Sequence, residues 1–423
     1  MSDKAPSSPP GPLNLPAGSA AEQLRSQMPV THKFAYFDHA AVAPLTAPAA
    51  AAISRYAQQA AEQGDIQWPA WDLALSRLRG VAAGFLGAAE DEVALVHNTT
   101  HGIGLVAEGF PWQAGDNVVI PDNEFPSNSL PWTQLARLGV ELRRVAVEPT
   151  GELDLAKLSR AIDGRTRIVS VSWVGFVSGY RIDVGEVAEV IHSRGGLLVL
   201  DAIQGLGAFE IDVKATGVDF LVADGHKWML GPEGAGLFYI RQEHLDLLEP
   251  LGVGWGSLAA DSFVPGAVNL KTNAARYEGG SANMPGMIGF GQSLSLLQQL
   301  HHSTSAQSPN RSSLSEAVLA NVEMMAERLR QADFRVYLPE DAAQRSGILG
   351  ISWPASGHTT SSTGAPDVPE SVALAARKHC IAVGVILSVR GGRLRAGTHA
   401  YNNEHDIQRL VDALIDFRKT FAG

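Results

Sequence analysis

"VADGHKWMLGPEGAGLFYI", residues 222–240, places Lys227 between His226 and Trp228, just past an apolar run and ahead of a glycine-rich turn. A lysine so placed is either a surface charge or an amine held out of water for chemistry, and its neighbours decide which. Upstream, "GGLLVLDA" is a second short apolar run, and it closes on an acid, Asp201. Working outward, "EVALVHN", "NVVIP", "ELRRVAV", "TRIVSVSWV" and "GAGLFYI" bring the strand-like runs to seven, counting "DFLVADG". Between them lie helical stretches such as "NSLPWTQLARLG", "DLAKLSRAI" and "DVGEVAEVIHSRG". Apolar strands alternating with amphipathic helices predict an α/β domain whose mostly parallel sheet is covered on both faces.

The flanks read differently. Residues 1–30 are rich in Pro and Ser and read as a disordered tail. Residues 31–65 hold a short strand in "FAYFDHAAVAPL" and the helix "TAPAAAAISRYAQQAAEQ", with Thr46 as cap and Pro48 near its first turn. This segment is expected to pack with the C-terminal domain. Residues 66–295 form the large domain and 296–423 a smaller α+β domain. In the latter, "SLSEAVLANVEMMAERLRQA" is a long helix, followed by "GILGISWP", a helix near Val372–Lys378, the strands "IAVGVIL" and "RLRAGTHA", and a closing helix. The loop "ASGHTTSSTGAPD" is expected to be exposed.

Bulk properties exclude several classes. A net charge of -11 argues against nucleic-acid or anionic-membrane partners, which demand a basic face. The single cysteine, Cys380, forbids an internal disulfide and a cysteine-rich zinc site. The opening "MSDKAPSSPPGPLNLPAG" has no apolar run, so neither a signal peptide nor a membrane span is expected, and the cytoplasm is the default location. "DAIQGLGAFE" lacks the third glycine of a dinucleotide fingerprint, no G-x-S-x-G elbow occurs, and the histidines are not spaced as metal ligands.

In open α/β sheets ligands bind at the carboxyl ends of strands. Asp201 and Lys227 both fall there. Pyridoxal phosphate chemistry needs this pair: the amine forms a Schiff base with the cofactor aldehyde, and the acid keeps the pyridine nitrogen protonated. "VHNTTHGIGL" passes from strand to helix, so Asn98, Thr99, Thr100 and the helix dipole converge on a site for an anion. The same residues also suit plain helix capping.

The ordered set "YFDHAAVAP", "HNTTHGIGL", "NEFPSNSLPW", "LVLDAIQGLG", "DGHKWMLGPEGAGLFY", "YEGGSANMPGMIGFGQSL" and "RLRAGTHAYNNEHDI" resembles the class V aminotransferase family, in its cysteine desulfurase, isopenicillin N epimerase and kynureninase-like group. The resemblance implies the pyridoxal-phosphate fold type I and a homodimer with active sites at the subunit interface. It further implies that Lys227 carries the cofactor and that Thr99, Thr100 and His226 hold its phosphate, with Ser281 reaching in from the partner subunit. Asp201 would face the ring nitrogen, Gln204 the ring hydroxyl and Phe125 one ring face. Arg395 would grip the substrate carboxylate through two parallel hydrogen bonds. Bland roles stay open for some of these. Phe125 fits core packing, Arg395 a surface charge cluster with Arg390 and Arg393, and Ser281 a glycine-rich turn.

The pattern also departs from the family. Where desulfurases carry a mobile-loop cysteine, this chain reads "IAVGVILSVRGGRLRAG", so desulfurase activity of that kind is not expected. Phe125 replaces a histidine and cannot move protons, while His39 is a candidate for acid-base work or substrate binding with a structural role as its alternative. Phe176 stands where an asparagine is common. Asp224 stands where a serine is, and is expected to turn away from the phosphate toward His226. Transamination or epimerisation at Cα is the leading expectation. Lyase chemistry at Cβ–S or Cβ–Cγ, or a non-catalytic relative, is the alternative.

Overall fold

The structure, a computed structural model, describes residues 15–259, 268–305, 313–354 and 368–421. Residues 1–14 of the expected tail and the loop "ASGHTTSSTGAPD" (355–367) lie outside the described residues.

The tail expectation fails over its second half. Ser19 and Glu22 form a reciprocal capping box that starts helix α1 (Ala20–Ser26). Leu24 and Met28 are buried beneath it, and Arg25 pairs with Asp406 at 2.7 Å. Apolar anchors and one ion pair therefore order a segment whose Pro/Ser-rich composition reads as mobile. Strand β1 (Ala35–Tyr36) pairs in parallel with Val385–Ile386 in the C-terminal part. Helix α2 (Ala47–Gln63) begins where Thr46 Oγ1 accepts from Ala49 N at 3.2 Å. It packs not on the small domain but, with α3 (Trp68–Leu86), against the helix that starts at Met284.

The large domain then alternates as its sequence predicts. It runs β2 (Val93–Val96), α4 (Thr99–Gly109), β3 (Asn117–Pro121), α5 (Leu130–Thr133), β4 (Glu141–Val145), α6 (Leu155–Ala161), β5 (Thr166–Ser172), α7 (Val184–His192), β6 (Leu197–Asp201), β7 (Phe220–Asp224) and β8 (Gly236–Ile240). These strands form the seven-stranded sheet in the order β2-β8-β7-β6-β5-β3-β4. All neighbours are parallel except β8, which runs against both β2 and β7. The reason is local. Parallel return needs a long crossover, and the link 225–235 is too short to supply one. That link carries Lys227, so the lysine sits at the carboxyl edge of the sheet, beside the end of β6.

Helix α8 (Met284–Ser305) spans the expected domain boundary at 295/296 and packs on α2 and α3. The small domain holds α9 (Leu314–Gln331), β9 (Arg335–Tyr337), β10 (Ile348–Ser352), α10 (Glu370–Ala382), β11 (Val385–Ile386), β12 (Ser388–Arg390), β13 (Arg393–Gly397) and α11 (Glu404–Phe421). Its four-stranded antiparallel sheet has the order β12-β13-β10-β9, and its separate core, running from Val322 to Phe417, also takes in Ala35 and Phe37 of the N-terminal segment, which packs there as expected. The expected strand "IAVGVIL" is shorter than its apolar run. Ile381 and Ala382 close α10, because Gly384 turns the chain with φ 80°. No described helix is long and apolar enough to cross a membrane.

Candidate active site

A cavity of about 300 Å³ opens between the sheet's carboxyl edge and the small domain. The ends of β6 and β7 contribute Asp201, Gln204, Asp224, His226 and Lys227, and the β2–α4 turn contributes Thr99 and Thr100. Phe125, Ser127 and Phe176 come from loops after β3 and β5, Ala40–Val42 from the N-terminal segment, and Arg390 and Arg395 from the small domain.

Lys227 is held in a tightly wound loop. Leu230 N donates to Lys227 O at 3.0 Å and Gly231 N to Gly225 O at 2.8 Å. Leu230 adopts φ 57°, a strained conformation for a branched residue, and is fixed there by full burial and by Ser293 Oγ donating to its carbonyl at 2.7 Å. Behind it, Ala400 N donates to His399 Nδ1 at 2.8 Å. That places the ring proton on Nε2, which donates to Trp228 O at 3.0 Å.

Only 7% of Lys227 is exposed, and burial brings its ammonium down to about 8. The Asp201 charge opposes this, while Arg395 adds to it. The neutral amine is thus the accessible form near neutrality, as attack on an aldehyde requires. Uptake of pyridoxal phosphate by the cofactor-free protein is expected to quicken about fivefold from pH 7 to 8 and less than about twofold from pH 8 to 9. An unshifted lysine would gain about tenfold per pH unit throughout, which stopped-flow absorbance would reveal.

Asp201 is buried, and burial raises its carboxyl to about 6 against the N–H of Ile203 (3.1 Å) and the Lys227 charge. Gln204 is locked at both ends, its Nε2 donating to Ala40 O and its Oε1 accepting from Trp228 Nε1, each at 2.9 Å. One amide hydrogen remains for the cavity. The Lys227 Nζ lies 5.5 Å from the centre of the Phe125 ring, which is 39% exposed and meets Phe176 edge-on. Phe125 thus offers a partly exposed ring face beside the amine.

At the other end, Asn98 caps α4 by accepting from His101 N at 2.9 Å, and Thr100 Oγ1 donates to Ser127 at 2.8 Å. Thr99 Oγ1 accepts from Asp224 N at 3.2 Å, so its own proton is free to donate. Asp224 Oδ2 lies 3.0 Å from His226 Nδ1, yet the carboxylate stays in the cavity wall with Oδ1 unpartnered among the described residues. Helix N–H groups, two hydroxyls and an imidazole suit a phosphate. Together with the exposed Phe125 ring face and the amine beside a buried acid, the residues fit pyridoxal phosphate.

Arg395 is buried, and burial lowers its guanidinium to about 10. Its Nη1 donates to Phe176 O at 2.7 Å and its Nε to Ser388 Oγ at 3.2 Å, while Nη2 sits 3.5 Å from Asp38 without a hydrogen-bond acceptor among the described residues. That unpaired nitrogen is itself buried, while Arg395 as a whole lines the cavity.

One expected site residue, His39, is not brought here. His39 is fully buried outside the lining. Its Nδ1 donates to Gly397 O at 2.8 Å, leaving Nε2 to accept from Tyr401 at 2.7 Å, and burial drops its pKa to about 3. It stays neutral with both nitrogens engaged, so the structure gives it a packing role. Ser281 is exposed and does not line the cavity of its own chain. Two neighbours escaped the sequence reading. Glu124 accepts from Ser172 N (2.7 Å) and Ser172 Oγ (2.5 Å), and burial raises it to about 7 beside Asp201. Only its place before Phe125 could have flagged it. Arg390 reaches the cavity because Arg390-Gly391-Gly392-Arg393 is a two-residue hairpin, with φ 56° and 75° at the glycines.

The model of the family described as "Aminotransferase class-V" matches residues 35–410. A probable cysteine desulfurase of Methanothermobacter thermautotrophicus is 30% identical over 407 residues, covering 93% of this chain and 97% of the relative. A cysteine desulfurase of Klebsiella pneumoniae is 30% identical over 416 residues, covering 95% and 98%. Among solved structures, the apo cysteine desulfurase of Thermococcus onnurineus NA1 aligns with TM-score 0.79 at 23% identity over 96% of this chain and 99% of that one. The cystine C-S lyase C-DES, in complex with its product cysteine persulfide, aligns with TM-score 0.79 at 22% identity over 92% and 100%. With a match across most of its length, the chain belongs to the aminotransferase class-V family.

Proposed function

We propose that this protein is a pyridoxal-phosphate-dependent lyase that cleaves the Cβ–S bond of an S-substituted amino acid by β-elimination. The observation that carries it is a cavity with a buried amine at its centre and no thiol in its wall. The relatives are named for removing sulfur from cysteine, which supports chemistry at Cβ–S ahead of transamination at Cα. Desulfurization through a protein cysteine does not suit this chain. Cys380, its single cysteine, is buried in α10 outside the lining, where burial pushes the thiol up to about 12. The tight β12–β13 hairpin stands in the stretch where a mobile loop would carry one. Elimination needs no such group, because the sulfur leaves with its own substituent.

Pyridoxal phosphate, when bound, supplies an electron sink for the charge left at Cα. Arg395, a cation in the cavity wall, holds the α-carboxylate. Lys227 takes the α-proton, and the Cβ–S bond breaks with its electron pair leaving on sulfur. The leaving thiolate takes up a proton, and water completes the products as pyruvate and ammonium. With the cofactor in place, Asp201 would face the ring nitrogen, Gln204 the ring hydroxyl, Phe125 the ring face, and Thr99, Thr100 and His226 the phosphate. Ser281, exposed on its own chain, completes that phosphate site from a second copy in a homodimer.

The test is a product assay on the holoenzyme with S-substituted L-cysteines. Pyruvate and free thiol are expected in equal amounts, and Cys380→Ala is expected to keep the rate within about twofold, since that thiol packs as a small hydrophobe. A keto acid that retains its sulfur would return the assignment to transamination. Loss of activity in Cys380→Ala, with a persulfide on the wild-type protein, would restore the desulfurase route.

A further inference from the structure

We propose that Arg390 is a specificity residue that binds a second carboxylate, carried on the sulfur substituent of the substrate. The inference rests on the lyase reading for the identity of the leaving group, and on the cavity alone for the anion.

The hairpin geometry comes first. Ser388 pairs with Arg395 across β12 and β13, and Arg390 lies two residues beyond Ser388 on the same strand. Side chains alternate in a strand, so Arg390 shares the face of Ser388 and Arg395. Diagonal neighbours of this kind have their Cα roots roughly 7–8 Å apart. The two guanidiniums are thus side by side but offset, Arg395 deep and Arg390 at the exposed mouth.

The charge balance comes second. Arg395 is met by Asp38 at 3.5 Å and by an acceptor at each of its other donors, and one α-carboxylate completes it. Arg390, by contrast, donates only to the carbonyl of Val389 at 2.9 Å among the described residues, although it lines the cavity. The acids of the wall are already engaged: Asp201 lies beside Lys227, and Asp224 beside His226. An arginine fork in the wall of a cavity, in a chain of net charge -11, is a recognition element for an anion that arrives with the substrate. An amino acid seated with its α-carboxylate on Arg395 and its Cα at Lys227 extends its sulfur substituent toward the mouth. A carboxylate one or two bonds past sulfur meets Arg390.

Binding to the holoenzyme is measured by calorimetry with two probes. L-2-aminoadipate has a methylene in place of sulfur, so no bond can break, and its side-chain amide is the neutral isostere. The wild type is expected to bind the acid about tenfold more tightly than the amide. Arg390→Gln is expected to bring that ratio to within about twofold, and Arg390→Lys, which keeps the charge without the fork, to leave an intermediate ratio. A wild-type ratio near one, or a full ratio in Arg390→Gln, would overturn the proposal. If S-carboxymethyl-L-cysteine and its amide both fail to give pyruvate, the lyase reading falls while the binding ratio still reports on Arg390.

Discussion

Lys227→Ala is expected to lower turnover by at least about 10⁴-fold, because on the proposed mechanism the same side chain both holds the cofactor and moves the α-proton. The fold is expected to survive. The hydrogen bonds that wind the 225–231 loop run between main-chain atoms, and the strained Leu230 is fixed by Ser293. The buried amine also contributes little stability, since burial already disfavours its charged form. A matched thermal melt beside the lost activity separates chemistry from unfolding. Borohydride reduction of the wild type, followed by peptide mass analysis, should find the pyridoxyl group on residue 227. A variant with more than about one per cent of wild-type activity would remove Lys227 from its role.

Asp201→Asn carries the second-largest expected effect, a fall of about 10³-fold in kcat. The substitution keeps size, and its amide oxygen can still accept from Ile203 N, so the loss is one of charge. Two opposite charges about 4 Å apart at an effective dielectric near 20 interact by about 4 kcal/mol, which is about 10³ in rate if lost only in the transition state. The sign follows from the carboxyl's position. Burial lifts Asp201 to about 6 in the cofactor-free protein, and a protonated ring nitrogen beside it stabilises the carboxylate, drawing that value down. Activity of the wild type should therefore not follow a titration near pH 6, and Asp201→Asn should bind the cofactor yet turn over slowly. A drop smaller than about tenfold would mean that the ring nitrogen has another partner.

Much of this site was legible in the chain itself. Asp201 and Lys227 each end an apolar run, and strand ends converge in an α/β sheet, so two residues far apart in sequence could be paired from pattern alone. Thr46 and Pro48 marked the start of α2 because capping is a local matter, settled within one turn. The domain limits were less legible. Composition cannot register the anchors Leu24, Met28 and Arg25, which order the segment around α1 through partners hundreds of residues away.

Among the site residues, the deciding quantity was burial. His39 and Arg395 both read as polar residues near the expected site, and the structure separates them. Both nitrogens of His39 are spent on Gly397 and Tyr401, whereas Arg395 lines the cavity and keeps one nitrogen unpaired among the described residues. Glu124, though inside "NEFPSNSLPW", and Arg390 gave no sign of a place beside the site, the first because its partner Ser172 lies on a distant strand, the second because only the hairpin turns it inward.

The sequence by itself determined the alternation of strand and helix, the lysine and acid at strand ends, and the absence of a cysteine beside them, since periodicity and residue identity are properties of the chain. Only the tertiary structure decided which polar groups lie unpaired in the cavity wall and how far the lysine's charge is suppressed. Both depend on desolvation and on neighbours brought together from distant segments, and neither is encoded in any local spacing.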